Sequence, residues 1–134
     1  MGRRTFSVEQ ANVALAEVRP LAERTVELSR RLPELHEELR IRSYRAGRPG
    51  GTGSDVEGVE LAADELRQAE TDLEAALHAL VAQGVELKDA MVGVVDFPSE
   101  RDGEPIELCW RLGEDRIAHW HPLDGGFRGR RPLP

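Results

Sequence analysis

Cysteine occurs once in these 134 residues, at Cys109, so no disulfide can close within the chain. Aromatic residues are nearly as scarce, with none between Tyr44 and Phe97. No apolar run approaches the ~18 residues that a membrane span needs. The start, Met1-Gly2-Arg3-Arg4, is basic but leads into no apolar segment, which argues against a secretory leader. Phe6 fills the position where a myristoylation signal needs Ser or Thr. These absences point to a cytoplasmic chain that neither crosses nor is anchored to a membrane. The formal net charge of −7 argues against general nucleic-acid binding, which needs a basic footprint. Lysine is limited to Lys88; every other basic residue is Arg.

What is present fits one domain, residues 1–134, long enough to bury roughly 65–70% of its unfolded surface without covalent staples. The charge is uneven: about +2 over residues 1–55, −7 over 56–91 and −2 over 92–134. Ser7 and Gln10 have the spacing of a capping box, with Phe6 at the staple position before them. From there a seven-residue repeat runs through Val8, Ala11, Leu15, Val18, Ala22 and Thr25, then drifts through Leu28, Leu32, Leu35 and Leu39. That stripe predicts a first helix over 6–45. Pro20 predicts a bend; at Pro33 a break and a kink are both open. Residues 46–54 hold four glycines and read as a flexible linker. They lack the Lys-Ser/Thr and the preceding strand of a phosphate-binding loop. A second helix is predicted over 55–84, capped by Ser54 and Glu57 and ended by Gly84. Its repeat is Val59, Ala62, Leu66, Ala69, Leu73, Ala76 and Leu80. Two long helices of opposite charge joined by one linker predict an antiparallel hairpin.

From residue 85 the period falls to two. Val92–Phe97, Ile106–Leu112 and Ile117–His121 read as strands, with Val85-Glu86-Leu87 as a short edge candidate. Asp102-Gly103 is a two-residue hairpin signal, and Gly113-Glu114-Asp115-Arg116 closes a second hairpin. The fold class is therefore α+β: a long helical hairpin followed by a three-stranded antiparallel meander over 85–121. The tail, 122–134, is expected to be irregular. With two-residue turns, Phe97 faces Leu108 and Val95 faces Trp110, while Trp110 faces His119 and Leu108 faces His121. One face then carries Val95, Phe97, Leu108, Trp110, Leu112, Ile117, His119 and His121, and packs on the helices. The other carries Asp96, Glu107, Cys109, Arg111 and Trp120. A slip of one residue would reverse the sorting of an outer strand.

Three groups of residues could carry chemistry. His119 and His121, two apart on one strand, suit two ligands of a Zn²⁺ or Fe²⁺ ion, with His36, Glu37 or Glu38 as third-ligand candidates. Half-buried structural histidines are the plainer reading. Asp96, Glu107, Cys109 and Arg111 form the second group. It could bind a ligand or do acid–base work, but a structural ion pair and a buried strand thiol are commoner outcomes. The third is the basic tail, Phe127 through Arg131, with Trp120 nearby. Arg130 and Trp120 could bind an anion or single-stranded RNA by charge and stacking. Phe127 more plainly anchors the C-terminus.

Several segments together resemble domain-of-unknown-function family 2203. They are Val95-Asp96-Phe97-Pro98, Arg101-Asp102-Gly103, Leu108-Cys109-Trp110-Arg111-Leu112-Gly113, Trp120-His121, Gly126-Phe127 and Gly129-Arg130, with an opening Phe6-Ser7-Val8-Glu9-Gln10-Ala11-Asn12. At position 119 the resemblance leads one to expect Tyr, which leaves His121 as the stronger of the two histidines. It implies a small bacterial protein and supplies no reaction or catalytic residue. Two functions follow from the residues. The first is a non-enzymatic, self-associating or partner-binding protein, a dimer favoured, because helices of ~30 residues outrun a three-stranded sheet. The second is a metal- or small-ligand-binding protein, an enzyme or not, using His121 with Asp96, Glu107 or Cys109.

Overall fold

The computed structural model describes residues 4–134. Met1, Gly2 and Arg3, on which the leader-peptide reading rests, lie outside them. Helix α1 runs Val8–Ala46 and α2 runs Gly53–Ala82. Five strands follow: β1 Glu86–Asp89, β2 Val94–Arg101, β3 Glu104–Arg111, β4 His119–Pro122 and β5 Arg131–Pro132, with a 3₁₀ turn at Phe127–Gly129. They pair in chain order, β1-β2-β3-β4-β5, each antiparallel to the next. The α+β class holds, but the sheet has five strands rather than three. Both extra strands are short and lie at its edges. The tail is not irregular throughout, because β5 pairs with β4 and the Leu133 amide donates to the Ala118 carbonyl at 2.9 Å.

Helix α1 starts at the expected Ser7–Gln10 capping box. It continues through Pro20 and Pro33 without a break. Both prolines are exposed. The carbonyls they strand can turn to water, while packing on either side of Pro33 holds the helix together. Helix α2 starts earlier than predicted. Its cap is Thr52 with Asp55, not Ser54 with Glu57, and Gly84 takes the left-handed conformation (φ 84°) just past its end. The stripes meet as expected: Leu28 and Leu35 bury against Leu66 and Ala69, flanked by Leu32, Leu39 and Leu73. Val8 alone among the first six stripe residues stays exposed. Arg24 bridges to Asp72 at 3.1 Å and Arg31 to Glu65 across the hairpin. These exposed pairs contribute at most about 1 kcal/mol each, so apolar burial holds the helices together.

The main core lies between the open end of the hairpin, where α1 begins and α2 ends, and one face of the sheet. Ala11, Leu15, Val18, Ala22 and Leu80 pack with Val95, Phe97, Ile106, Leu108 and Trp110. Phe6 meets Phe97 edge-on, with centroids 5.3 Å apart. The β2–β3 hairpin has the expected register, Val95 opposite Trp110 and Phe97 opposite Leu108. Its turn residues Asp102 and Gly103 both have positive φ (53° and 81°), as a type I′ turn requires.

The second hairpin does not follow prediction. His119 pairs with Cys109, Trp120 with Leu108 and His121 with Glu107, a slip of one residue. The cause is the connection over residues 112–118, which is docked on α1 instead of closing as a tight turn. Arg19 donates to the Glu114 and Asp115 carbonyls at 3.0 and 2.9 Å. The Ile117 amide donates to the Asn12 side chain at 2.8 Å rather than to the ladder. Ile117 is buried on the helix side, but the strand begins only at His119. Because side chains alternate, this slip turns His119 and His121 away from the helices and Trp120 toward them.

Candidate functional site

The slip gathers the site. The sheet face away from the helices carries Asp96 on β2, Glu107, Cys109 and Arg111 on β3, and His119 and His121 on β4. Asp96, Cys109 and His119 form one ladder row, and Glu107 and His121 occupy the next. Asp96, Cys109 and His121 are almost fully buried, at 1%, 0% and 2% exposure. One ligand atom from each lies within 4.8 Å of the other two.

The hydrogen bonds fix how His121 can act. Its Nδ1 lies 2.7 Å from the Pro122 carbonyl, which can only accept, so Nδ1 carries a hydrogen. Its Nε2 then faces Asp96 Oδ2 at 3.0 Å. A lone pair facing a carboxylate oxygen in a buried site is repulsive. Something positive must therefore lie between them: a shared proton, or a metal ion in its place. Asp96 Oδ1 is also buried and, among the described residues, meets no hydrogen-bond donor.

This geometry rules out a Cys–His–Asp nucleophile. Both ring nitrogens of His121 are directed elsewhere, so His121 does not serve Cys109 as a base. Burial, and then the adjacent Asp96 carboxylate, push the thiol up to about 12. A reactive thiolate needs the opposite environment.

As metal donors the three residues fit well. A ligating histidine commonly donates its other N–H to a carbonyl, which orients the ring. Thiolate, imidazole and carboxylate together suit Zn²⁺. Ligand atoms around tetrahedral zinc lie roughly 3.3–3.8 Å apart, given bonds of about 2.0–2.3 Å. Closing on an ion thus asks for a shift of about 1 Å at the widest pair.

The other predicted residues fall around or outside this group. Glu107 is buried across the ladder from His121. His119 is half-buried, with Nδ1 3.8 Å from Glu114, and is not in the converging group. His36, expected to point inward as a third ligand, is exposed on α1, as are Glu37 and Glu38. Trp120, expected among the site residues, packs instead against the main core, with the Arg101 and Arg131 guanidiniums 4.8 and 5.1 Å from its ring centre. Arg111 lies 5.9 Å from the Phe127 ring, and Arg130 lies over the same ring at 4.2 Å. Arg130 also reaches Cys109 and bonds Glu114 at 2.9 Å. The tail segment therefore overlies the site face, and Phe127 is an anchor as expected.

Sequence reasoning missed Glu114. Its carboxylate accepts from the Arg111 amide at 2.7 Å and from Arg130, while its carbonyl accepts from Trp110 Nε1 at 3.0 Å. Burial pushes the Glu114 carboxyl up, but Arg130 and the Arg111 amide outweigh it and hold the carboxyl below its usual range. The only signal for this role is its place in Gly113-Glu114-Asp115-Arg116, the segment that closes the second hairpin.

The chain belongs to the family described as Uncharacterized conserved protein (DUF2203), which it matches over residues 4–133. No curated protein and no solved structure matches it. No helix among the described residues is long and apolar enough to cross a membrane.

Proposed function

We propose that the protein binds one divalent transition-metal ion, Zn²⁺ foremost, through Asp96, Cys109 and His121. The observation that carries this reading is the convergence of three chemically different, buried donors on one sheet face. Three protein ligands leave a fourth position for water or a small molecule. The lone thiol must stay reduced to serve, which suits the cytoplasm. Protein purified without a polyhistidine tag is expected to contain metal by elemental analysis. Metal-free protein should take up one Zn²⁺ and gain about 10 °C in Tm at a hundredfold excess over Kd. Cys109→Ser should lose most of that gain. Absence of metal, together with no thermal shift on adding Zn²⁺ or Fe²⁺, would sink the reading.

Self-association is a second proposal. Tyr44, Val56 and Leu61 are exposed near the end of the hairpin remote from the sheet. A second copy could cover them, and light scattering is expected to return a dimer mass. A monomer at high micromolar concentration would remove it.

A further inference from the structure

The face that carries Asp96, Cys109 and His121 continues to a cleft the metal reading does not use. Val94 and Arg111 oppose each other two residues beyond Asp96 and Cys109, roughly 7 Å along the strands. With Lys88, Asp89, Phe127 and Arg128 they line a cleft of about 390 Å³. That volume falls within the roughly 300–1,000 Å³ of small-molecule sites.

Its charge is opposite to that of the chain as a whole. Three cations, Lys88, Arg111 and Arg128, meet one carboxylate, in a protein of formal net charge −7. The carboxylate is already engaged: Asp89 Oδ1 accepts from the Met91 and Val92 amides at 2.9 and 3.2 Å. Lys88 is paired with Glu86 at 3.3 Å. Arg111 and Arg128 contact no carboxylate among the described residues. Two uncompensated guanidiniums on one cleft are poised for an anion, because their planar forks match carboxylate and phosphate oxygens.

We propose that this cleft binds a small molecule through an oxyanion group, phosphate or carboxylate, held by Arg111 and Arg128 with Lys88 adding charge. The guanidiniums need no metal for this, so the proposal goes beyond the metal reading. The test is an amide-shift titration of the whole chain with inorganic phosphate and, separately, with succinate, at ionic strength held constant with sodium chloride.

Saturable shifts centred on Val92, Val94, Arg111, Phe127 and Arg128 are expected. Arg111→Gln and Arg128→Gln should each weaken binding about tenfold or more. Both side chains are exposed, and a dispersed spectrum will report that the variants fold. Tighter phosphate binding would assign a phosphate-bearing ligand, and tighter succinate binding a carboxylate. Cys109→Ser should bind the probes as the native chain does. Three results would each overturn the proposal: shifts that chloride alone reproduces, native-like binding by the double arginine variant, or loss of binding in Cys109→Ser.

Discussion

Replacing His121 with Ala is expected to destabilise the metal-free fold by about 3–5 kcal/mol, the range for breaking a buried charged pair by removing one partner. The imidazole is 2% exposed and bridges Asp96 and the Pro122 carbonyl. Without it, the Asp96 carboxyl keeps its burial and loses the imidazole that faces Oδ2. Asp96 would then have to take up a proton or draw in water, and either costs free energy. Asp96→Asn should cost less than His121→Ala, because an amide removes the charge and can still bond Nε2. The double variant His121→Ala/Asp96→Asn should therefore cost less than the sum of the two single variants. Urea unfolding monitored by tryptophan fluorescence measures all three. A His121→Ala loss below about 1 kcal/mol would mean that the pair is not the buried, coupled unit described here.

That site was partly legible in the sequence. Asp96, Glu107, Cys109 and His121 stand out by residue type, and the first hairpin could be placed because Asp102-Gly103 permits one turn with two positive φ angles. The helices were legible because a seven-residue repeat has one packing solution when a partner repeat follows it. The β4 register was not. It depends on Asn12 and Arg19 of α1 gripping a loop about a hundred residues later, and no local pattern reports that contact. The alternation His119-Trp120-His121 fits either face, since Trp and His are both half-buried residues in strands. Three long-range hydrogen bonds, two from Arg19 and one to Asn12, thus decide whether the histidines join the core or the site. The tail escaped for a similar reason. Its glycines and arginines carry no strand period, and β5 forms only because β4 offers an open edge.

Trp110→Ala is expected to cost about 3–5 kcal/mol and, unlike other core truncations, to weaken the proposed metal binding as well. The ring is fully buried at the centre of the core, with Arg19 5.4 Å from its centre. Its Nε1 donates to the Glu114 carbonyl. Glu114 in turn holds Arg130 and the Arg111 amide through its carboxylate, on the opposite face of the sheet. One residue therefore ties the core to the segment lying over Cys109, and losing the Trp110 contact loosens both. Leu108→Ala removes from the same cluster a buried side chain that makes none of the hydrogen bonds of this link, so it should cost about 2–5 kcal/mol and leave Zn²⁺ affinity unchanged. Trp110→Phe separates the two contributions. It keeps most of the apolar burial and gives up the Nε1 donor, at about 1 kcal/mol. If Glu114 couples the faces, Trp110→Phe lowers Zn²⁺ affinity more than Leu108→Ala does, although it costs less stability. The opposite order would show that affinity merely follows stability, and that the two faces of the sheet are independent.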